Sequence, residues 1–306
     1  MKKILVATEK PFAKAAVESI RKVVTGAGFE LALFEKYTQQ SELVSAVSDA
    51  DAIIIRSDIV DAQVVAAAKN LKIVVRAGAG YDNIDLKACS EKGIVAMNTP
   101  GQNANAVAEL VFGLLIYTVR GGYDGSTGIE LRGKTIGIHG YGYIGKIVAT
   151  IAKGFGMKVH AFDPFVEKAV MDKDGVVYES KLEDLYKNSQ FVSLHVPAND
   201  KTKKSINYDL VKLMPEDAVL INTARKEVID EEGLLKLFAE RKDLKYASDV
   251  APDTKGFEEN YKGRYYFTSK KTGAQTHEAN NNAGVAAANQ IVNFFVKGDK
   301  TFQVNK

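Results

Sequence analysis

The sequence predicts an α/β protein built from two doubly wound parallel sheets. Short segments rich in β-branched residues alternate with segments of helical periodicity, and this alternation runs along the chain as two successive series. A glycine-rich turn stands between a strand and a helix at the start of the second series. The length of 306 residues and the 46% hydrophobic content are sufficient for two packed globular domains.

The first series predicts five strands, separated by helical stretches such as 13–25 and 41–48. The strand segments are "KKILVAT", "FELALFEKY", "DAIIIRS", "LKIVVRAG" and "GIVAMNT". An apolar helix over 102–120 follows, opened by "NTPGQN" and closed by Gly121-Gly122. We place the first crossing between the two series at this helix.

The second series predicts five more strands with helices between them. The segments are "KTIGIHG", "MKVHAFD", "FVSLHVP", "AVLINTA" and "KYASDVA". A last helix over 278–297 ends in the apolar "QIVNFF", which needs a partner to bury it. A return of this helix to the first domain would supply that partner.

Composition argues against several classes of function. The net charge of +3 arises from 41 basic and 38 acidic residues without a basic stripe, so nucleic acid is not an expected partner. The single Cys89 cannot form an intramolecular disulfide, and no paired Cys/His spacing indicates a metal site. The N-terminus is typical of a first strand rather than a signal peptide, and the apolar segment 104–119 is too short to span a bilayer. We expect a cytoplasmic protein without membrane or metal.

The segment "GYGYIG" predicts a dinucleotide-binding turn. Gly140, Gly142 and Gly145 follow a strand and open a helix, where they allow a tight turn, the approach of a pyrophosphate and close helix–sheet packing. Asp163 ends the next strand, 18 residues after Gly145, where its carboxylate can accept hydrogen bonds from ribose hydroxyls. Because this carboxylate would repel a 2′-phosphate and no arginine follows it, the sequence favours NAD over NADP.

The segment "INTARKEVIDEEGL" places Arg225 at the C-terminal end of a predicted strand. Ligands of open α/β sheets gather at that edge, and an arginine there can bind a substrate carboxylate bidentately and polarise the adjacent carbonyl. A solvated surface arginine is the alternative interpretation.

Five motifs in order resemble the D-2-hydroxyacid dehydrogenase family, and within it the short-form D-3-phosphoglycerate dehydrogenases. They are "RAGAGYDNID", "NTPGQNANAVAE", "GYGYIG", "SLHVP" and "NTARKEVIDEEGL", and the resemblance covers essentially the whole chain. It implies a flavodoxin-like substrate domain and a Rossmann cofactor domain with a cleft between them. The substrate domain would comprise 1–99 completed by 278–306, and the NAD-binding domain 100–277. The resemblance also implies a homodimer formed through the cofactor domain.

The resemblance implies a role for each matching site residue. Arg225 would hold the substrate carboxylate and carbonyl, and the backbone N–H groups of the next loop would cradle the carboxylate: Ala77, Gly78, Ala79 and Gly80. The residues implied in cofactor binding are Gly140, Gly142, Tyr143, Ile144, Gly145, Asp163, Pro164, His195, Val196, Pro197, Thr202, Thr223, Ala224, Asp249 and Gly273. Within this set Asp249 would hold the nicotinamide carboxamide, and His195 would form part of the cofactor wall without transferring a proton.

A phosphorylated substrate needs a second anion site. Arg56-Ser57 follows the strand "DAIII", and Gln102-Asn103 lies at a helix start whose free N–H groups attract anions. The resemblance supports Arg56, Ser57 and Asn103 as phosphate ligands. The alternative is that Arg56 pairs with Asp58 or another surface acid.

The catalytic His–Glu pair of the family is absent from its usual positions. Five residues after Asp249 stands Thr254, with Asp253 as the nearest carboxylate, and the histidine position is occupied by Lys271. The joint loss favours Lys271 as the acid/base, because a lysine is cationic without a supporting carboxylate, and a desolvated cleft beside Arg225 would lower its pKa. Lys270, His277 or no side-chain acid remain the alternatives.

These observations predict an NAD-dependent dehydrogenase for a small phosphorylated 2-hydroxy acid. The expected reaction converts 3-phospho-D-glycerate to 3-phosphohydroxypyruvate at the entry to serine synthesis, and no appended regulatory domain is expected after "TFQVNK". A glyoxylate/hydroxypyruvate or D-lactate-type enzyme on the same scaffold is one alternative. A non-enzymatic NAD-sensing protein is another, favoured by the missing His–Glu pair and disfavoured by the intact Arg225.

Overall fold

The computed structural model describes residues 1–305 of the chain, apart from the side chain of Glu258. It contains two compact units, Met1–Asn103 with Gln275–Lys306 and Ala104–Ala274. Each unit has its own parallel sheet with helices on both faces, so the predicted α/β class with two doubly wound sheets is confirmed.

The strands and helices alternate along most of the chain. The strands are β1 Lys3–Thr8, β2 Glu30–Glu35, β3 Ala52–Ile55, β4 Ile73–Arg76, β5 Val95–Asn98, β6 Thr135–His139, β7 Lys158–Phe162, β8 Val177–Tyr178, β9 Phe191–Leu194, β10 Val219–Asn222, β11 Lys245–Ser248 and β12 Tyr265–Phe267. The helices are α1 Lys14–Gly26, α2 Gln40–Ala46, α3 Ala62–Ala67, α4 Leu86–Glu91, α5 Ala104–Val119, α6 Tyr143–Gly154, α7 Lys168–Lys173, α8 Leu182–Lys187, α9 Tyr208–Lys212, α10 Glu231–Glu240, α11 Gly256–Asn260 and α12 His277–Lys297. Single 3₁₀ turns cover Gly121–Tyr123 and Lys226–Val228.

The sheet of the first unit has the strand order β2-β1-β3-β4-β5, with all strands parallel. Its central strands are continuous apolar runs because both faces are covered, as in β3, where Ile53, Ile54 and Ile55 are fully buried. The order reverses between β1 and β3, and open α/β sheets bind ligands beyond the carboxyl ends of strands at such a point. Arg56 follows β3 directly.

The sheet of the second unit has the order β12-β11-β10-β9-β6-β7-β8, again parallel throughout. The order reverses between β6 and β9. The carboxyl ends of these two strands carry the turn that begins at Gly140 and the segment that begins at His195.

The last helix, α12, packs against α1 in the first unit. A Cβ on Gly284 would come within 2.9 Å of the Ile20 side chain, so the glycine permits close helix packing. Ile291 is fully buried, and Phe295 meets Phe29 edge-to-face at 5.8 Å. The apolar end of this helix therefore finds its partner in the first unit.

Two strands of the second sheet were not predicted. β8 has only two residues and β12 only three, too few to produce a periodic signal. Helix ends differ by one or two residues: α5 begins at Ala104, and α12 begins at His277, where the Thr276 hydroxyl accepts a hydrogen bond from the Ala279 N–H.

Within residues 1–305, no helix combines the length and the apolar character needed to cross a membrane. Over the same described part of the chain, no three His, Cys, Asp or Glu side chains are grouped as metal ligands would be.

Candidate active site

The glycine-rich turn joins β6 to α6. Gly140 has φ +101°, and a Cβ there would lie 2.7 Å from the His195 carbonyl oxygen. A Cβ on Gly145 would lie 2.3 Å from the Gly140 carbonyl oxygen, so only glycine lets α6 approach the sheet this closely. Gly142 is the N-cap of α6 and has open space within 4 Å of the position of an added Cβ. The turn thus combines close packing below with an open helix N-terminus above.

Asp163 lies just past β7 and fixes this turn. Its Oδ2 accepts a hydrogen bond from the Tyr141 N–H at 2.8 Å, and its Oδ1 accepts one from the Phe165 N–H at 2.9 Å. Each carboxylate oxygen has a second lone pair that can accept a hydroxyl proton. The residue can therefore hold the turn and still accept hydrogen bonds from a ribose.

Tyr141 is a residue of the turn that sequence reasoning did not single out. Its side chain is buried, and its hydroxyl donates to Asp174 Oδ2 at 3.0 Å, while burial and Asp174 raise its pKa. A buried tyrosine at a turn position leaves no periodic signal in the sequence. The contact anchors the glycine-rich turn to the segment after α7.

The carboxyl ends of β9 and β10 carry two buried polar atoms without hydrogen-bond partners among the described residues, His195 Nδ1 and Thr223 Oγ1. The other nitrogen of His195, Nε2, lies 2.9 Å from Ser193 Oγ. Burial, with a contribution from His139, lowers the pKa of His195 to about 3, so the ring is neutral. A neutral ring with a buried free nitrogen suits contact with a bound ligand rather than proton transfer.

The loop after His195 is closed by Thr202. Its hydroxyl donates to the Pro197 carbonyl at 2.5 Å and accepts a hydrogen bond from the Asn199 N–H at 2.9 Å. Val196 contacts the core below the second sheet, whereas Pro197 is exposed.

These features of the second unit fit a bound dinucleotide. The open space at Gly142 lies at a helix N-terminus, Asp163 retains acceptor capacity, and two orphaned polar atoms lie at the ends of β9 and β10. Tyr143 and Ile144 begin α6, and Tyr143 is 62% exposed beside the open face of the turn.

Lys271 and Arg225 meet at one carbonyl oxygen. Lys271 Nζ and Arg225 Nη1 each donate to the Ala224 carbonyl at 3.0 Å, so the two nitrogens lie at most about 6 Å apart. Arg225 directly follows the β10 end, where the Asn222 side chain donates to its carbonyl and so fixes its backbone. The structure therefore places a primary amine and a guanidinium at the same strand end.

Asp249 organises the loop that carries Lys271. The carboxylate is buried; its Oδ1 accepts hydrogen bonds from the Thr268 hydroxyl at 3.0 Å and the Thr272 N–H at 2.7 Å, and its Oδ2 accepts one from the Gly273 N–H at 2.8 Å. A Cβ on Gly273 would lie 2.9 Å from Oδ2. Sequence reasoning assigned Asp249 only to the cofactor. Its role in fixing this loop depends on contacts with residues 19 to 24 positions further along the chain, which the sequence does not reveal.

The surroundings of Lys271 differ from the desolvated environment expected from the sequence. The side chain is exposed, because Asp249 holds the loop through backbone N–H groups and a hydroxyl and leaves the lysine at the surface. Lys270 is exposed as well, and His277 is the exposed first residue of α12 in the first unit.

Asp253 does not take the place of the family glutamate. Its carboxylate accepts from Lys226 Nζ at 2.6 Å, and it is 75% exposed. At the expected glutamate position, the Thr254 N–H and hydroxyl donate to Glu231 Oε2 at 2.9 and 2.6 Å. The sequence left the role of Asp253 open, and the structure assigns it to this ion pair.

In the first unit, Arg56 and the loop after β4 lie side by side. The Ala77 N–H donates to the Ile55 carbonyl at 2.8 Å, and the Arg76 Nε–H donates to the Arg56 carbonyl at 3.1 Å. A Cβ on Gly78, which has φ +154°, would lie 1.5 Å from Arg76 Nη1, so the guanidinium packs directly on this glycine.

Arg56 does not form the side-chain ion pair with Asp58 that the alternative interpretation expected. Asp58 Oδ2 accepts from the Arg56 backbone N–H at 3.0 Å, whereas the guanidinium donates to Asn280 Oδ1 at 2.5 Å and to the carbonyls of Lys10 and Pro11. The ring of Phe12 lies 5.1 Å from its Cζ. Burial lowers the pKa of Arg56, yet a guanidinium stays charged at neutral pH.

The remaining residues predicted for the site lie in loops and next to the ends of helices and strands. Ser57 is exposed next to Arg56, the Ala79 carbonyl accepts from the Asn98 side chain at 2.5 Å, and Gly80 follows Ala79 within the loop between β4 and α4. Asn103 directly precedes α5, and Pro164 follows Asp163.

Comparison with known proteins gives a consistent picture. Residues 116–263 match the family model described as "D-isomer specific 2-hydroxyacid dehydrogenase, NAD binding domain". A D-3-phosphoglycerate dehydrogenase of Methanocaldococcus jannaschii is 36% identical over 272 residues, which cover 82% of this chain and 51% of that protein. A hydroxypyruvate reductase of Thermotoga maritima is 40% identical over 219 residues, which cover 67% of this chain and 70% of that protein. The chain thus spans about half the length of the M. jannaschii relative.

Among solved structures, one similar chain is described as cofactor (NAD⁺)-bound 3-phosphoglycerate dehydrogenase in Entamoeba histolytica. It superposes with a TM-score of 0.90 and 48% sequence identity, covering 100% of this chain and 99% of that one.

Proposed function

The chain belongs to the D-isomer specific 2-hydroxyacid dehydrogenase family and carries its NAD-binding domain, and we propose that it is an NAD-dependent D-3-phosphoglycerate dehydrogenase. The proposed reaction interconverts 3-phospho-D-glycerate and 3-phosphohydroxypyruvate, the first step of serine synthesis. Support for this substrate comes from the relatives of that name, including the E. histolytica protein, which matches over the full chain.

The observation that carries the proposal is the pair of cationic groups at the Ala224 carbonyl. Reduction of a 2-keto acid requires a group that binds the carboxylate and another that donates a proton to the developing alkoxide. Arg225 and Lys271, both 3.0 Å from one oxygen, supply two such groups at the carboxyl end of β10. Under this proposal the chemistry does not depend on the family histidine.

Each residue then has a defined task. Arg225 binds the carboxylate bidentately and polarises the keto oxygen, because its planar guanidinium has a fixed charge and a fork of donors. Lys271 holds the proton that passes to this oxygen in reduction, and in oxidation its neutral amine accepts the proton of the 2-hydroxyl. Bound NAD or NADH supplies the hydride acceptor or donor. Asp249 keeps Lys271 in place through the Thr272 and Gly273 N–H groups.

We propose the same cofactor contacts that the sequence predicted in the second unit. Gly142 and the N-terminus of α6 would bind the pyrophosphate, Asp163 would bind the adenine ribose, and His195 and Thr223 would line the nicotinamide side.

For the substrate phosphate we propose Arg56, Ser57 and Asn103, and for its carboxylate the N–H groups of 77–80. The support is local: a second arginine of the same unit, Arg76, donates its Nε–H to the Arg56 backbone carbonyl, so the two residues lie side by side at the ends of β3 and β4. We further propose a homodimer formed through the second unit, which size-exclusion chromatography with light scattering would test.

One observation favours a second candidate. The hydroxypyruvate reductase of T. maritima is 40% identical over 67% of this chain, more than the 36% of the M. jannaschii D-3-phosphoglycerate dehydrogenase although less than the 48% of the E. histolytica protein. An unphosphorylated 2-keto acid is therefore the alternative substrate on the same catalytic residues.

The deciding experiment is NADH oxidation by the purified protein with 3-phosphohydroxypyruvate and with hydroxypyruvate. We expect kcat/KM to be higher for the phosphorylated compound by at least about 100-fold, since only this compound carries the charged group that the Arg56 guanidinium would bind. Equal values would support the reductase, and cofactor binding without turnover of either compound would support the NAD-sensing alternative.

A further inference from the structure

A pocket of about 280 Å³ opens on the first unit, between α1 and the edge strand β2. It is lined by Phe12, Lys14, Val17, Glu18, Leu33 and Glu35. Its volume is close to the lower end of the ~300–1,000 Å³ typical of ligand sites, which suits a small metabolite. None of these residues belongs to the proposed active site. We propose that the pocket binds a small zwitterion with an apolar body, its ammonium at Glu35 and its carboxylate at Lys14.

Glu35 supplies the first argument. Its Oε1 is buried, and among the described residues it has no hydrogen-bond partner. Thr8, its neighbour in the paired strands β1 and β2, also has a buried hydroxyl oxygen without a partner in this part of the chain. A carboxylate with one buried oxygen that lacks a donor is costly. An ammonium in the pocket would meet the other oxygen, Oε2, which is not among the buried atoms, and its charge would offset part of this cost.

Lys14 supplies the complementary charge. Within residues 1–305, neither Lys14 nor Glu35 takes part in an ion pair, whereas Glu18 lies 3.9 Å from Arg21. Lys14 also begins α1, a 13-residue helix with neither a side-chain cap nor an acidic residue in its first turn. An anionic group is therefore favoured at this end by both the lysine and the helix N-terminus.

The remaining wall is apolar. Phe12, Val17 and Leu33 line the pocket, and Leu33 is 39% exposed on the edge strand. Two unpaired opposite charges flanking an apolar surface match a ligand with an ammonium, a carboxylate and a hydrocarbon portion better than they match a singly charged ligand.

One residue that lines the pocket, Phe12, also packs against Arg56. The Phe12 ring lies 5.1 Å from Arg56 Cζ, and the guanidinium donates to the carbonyls of Lys10 and Pro11 at 3.2 and 3.3 Å. A ligand against Phe12 would therefore touch a ring that packs on the proposed phosphate-binding arginine. This coupling rests on the proposed function, whereas binding in the pocket does not.

Isothermal titration calorimetry on the full chain tests the binding itself. The probes are L-leucine and 5-aminopentanoate, with 3-methylbutylamine and 4-methylpentanoate as analogues of leucine that each keep one charge. We expect at least one zwitterion to bind, with each singly charged analogue at least about tenfold weaker. Absence of binding by both zwitterions at about 20 mM, or equal binding of the single-charge analogues, would overturn the proposal.

Two variants locate the site. Glu35→Gln and Lys14→Met each remove one charge with little change in volume, and each should weaken binding of the zwitterion at least about tenfold. Glu30→Gln, on the exposed start of the same strand, should leave it unchanged. Unaltered binding in both pocket variants, with circular dichroism showing that they fold, would place the ligand elsewhere and refute this site.

Enzyme kinetics then test whether binding in the pocket affects the proposed phosphate site at Arg56. The bound zwitterion should change KM for 3-phosphohydroxypyruvate more than KM for hydroxypyruvate. If calorimetry shows binding but both KM values stay constant, the pocket stands and its link to Arg56 fails. If the protein turns over neither substrate, calorimetry still decides the pocket.

Discussion

At the scale of single residues, the main feature is the Ala224 carbonyl with two cationic donors. Lys271 and Arg225 would repel each other in isolation, but the negative end of the carbonyl dipole lies between them. The position five residues after Asp249 carries Thr254 instead of a carboxylate, and it is hydrogen-bonded to Glu231.

Replacement of the proposed acid/base tests this arrangement. Lys271→Ala should lower kcat about 100-fold or more while leaving the affinity for NADH nearly unchanged, because a general acid contributes roughly 10²–10⁴ to the rate. The measurements are steady-state NADH oxidation and a fluorescence titration of NADH. Lys270→Ala, the adjacent exposed lysine, is the matched control and should keep turnover near the wild-type value. Near-normal kcat in Lys271→Ala would eliminate the lysine as the acid.

The phosphate role of Arg56 has its own test. Arg56→Ala should lower kcat/KM for 3-phosphohydroxypyruvate by about 100-fold and affect hydroxypyruvate far less, because only the former carries the group that the guanidinium would bind. Arg21→Ala, on the exposed part of α1, should leave both values unchanged. Equal losses for the two substrates would instead indicate that Arg56 supports the fold through Asn280 and Pro11.

At the scale of elements, the unit β6–turn–α6 shows why glycine occupies two positions of the turn for different reasons. Gly145 has no room for a Cβ against the Gly140 carbonyl, whereas Gly142 faces open space at the helix start. Gly154, at the other end of the same helix, is exposed and has no heavy atom within 4 Å of an added Cβ. Helix α6 therefore contains one glycine that close packing requires, Gly145, and one that makes no packing contact, Gly154.

Gly145 and Gly154 should respond oppositely to substitution by alanine. Gly145→Ala should destabilise the protein by about 1–3 kcal/mol and weaken NADH binding, because the helix must move away from the turn. Gly154→Ala should be neutral or stabilising by up to about 1 kcal/mol, as alanine favours the helical backbone. Thermal unfolding and NADH titration measure both effects. A stable Gly145→Ala protein with wild-type NADH affinity would contradict the close approach of α6 to the sheet.

At the scale of the whole molecule, stability should depend on pH through two histidines, the buried His139 and the half-buried His195. Burial lowers the pKa of His139 to about 4 and that of His195 to about 3. An unfolded histidine has a pKa of about 6.5, so between these values the unfolded chain binds protons that the folded chain does not. Stability should therefore be complete above pH ~6.5 and fall as the pH decreases towards 4.

A histidine variant isolates this contribution from that of the carboxylates. His139→Gln should show a shallower loss of unfolding free energy between pH 6.5 and 4 than the wild type, measured by urea unfolding at several pH values. His277→Gln, which removes an exposed histidine, should reproduce the wild-type slope. Identical slopes in all three proteins would show that His139 does not remain neutral in the folded state.

The sequence alone predicted the features that depend on local pattern. The strand order of neither sheet can be read from one sequence, but apolar runs such as "AIII" and "KILVAT" identified their strands because burial on both faces demands continuous apolar residues. The glycine-rich turn and Asp163 were also identified from a local pattern, because their spacing in the sequence reflects the geometry of one strand–turn–helix unit. β8 and β12 were missed because two and three residues are too few to show such a pattern.

Tertiary structure decided what depends on residues far apart in the chain. The shared contact of Lys271 and Arg225 at the Ala224 carbonyl joins positions 47 residues apart, and the engagement of Arg56 by Asn280 spans 224 positions. The exposure of Lys271, in the loop after β12, and the ion pair of Asp253 with Lys226, in the loops after β11 and β10, likewise depend on how these loops fold back. Sequence spacing fixes the local geometry of a turn or a strand, whereas the distance between two side chains on separate loops is set by the packing of the whole sheet beneath them.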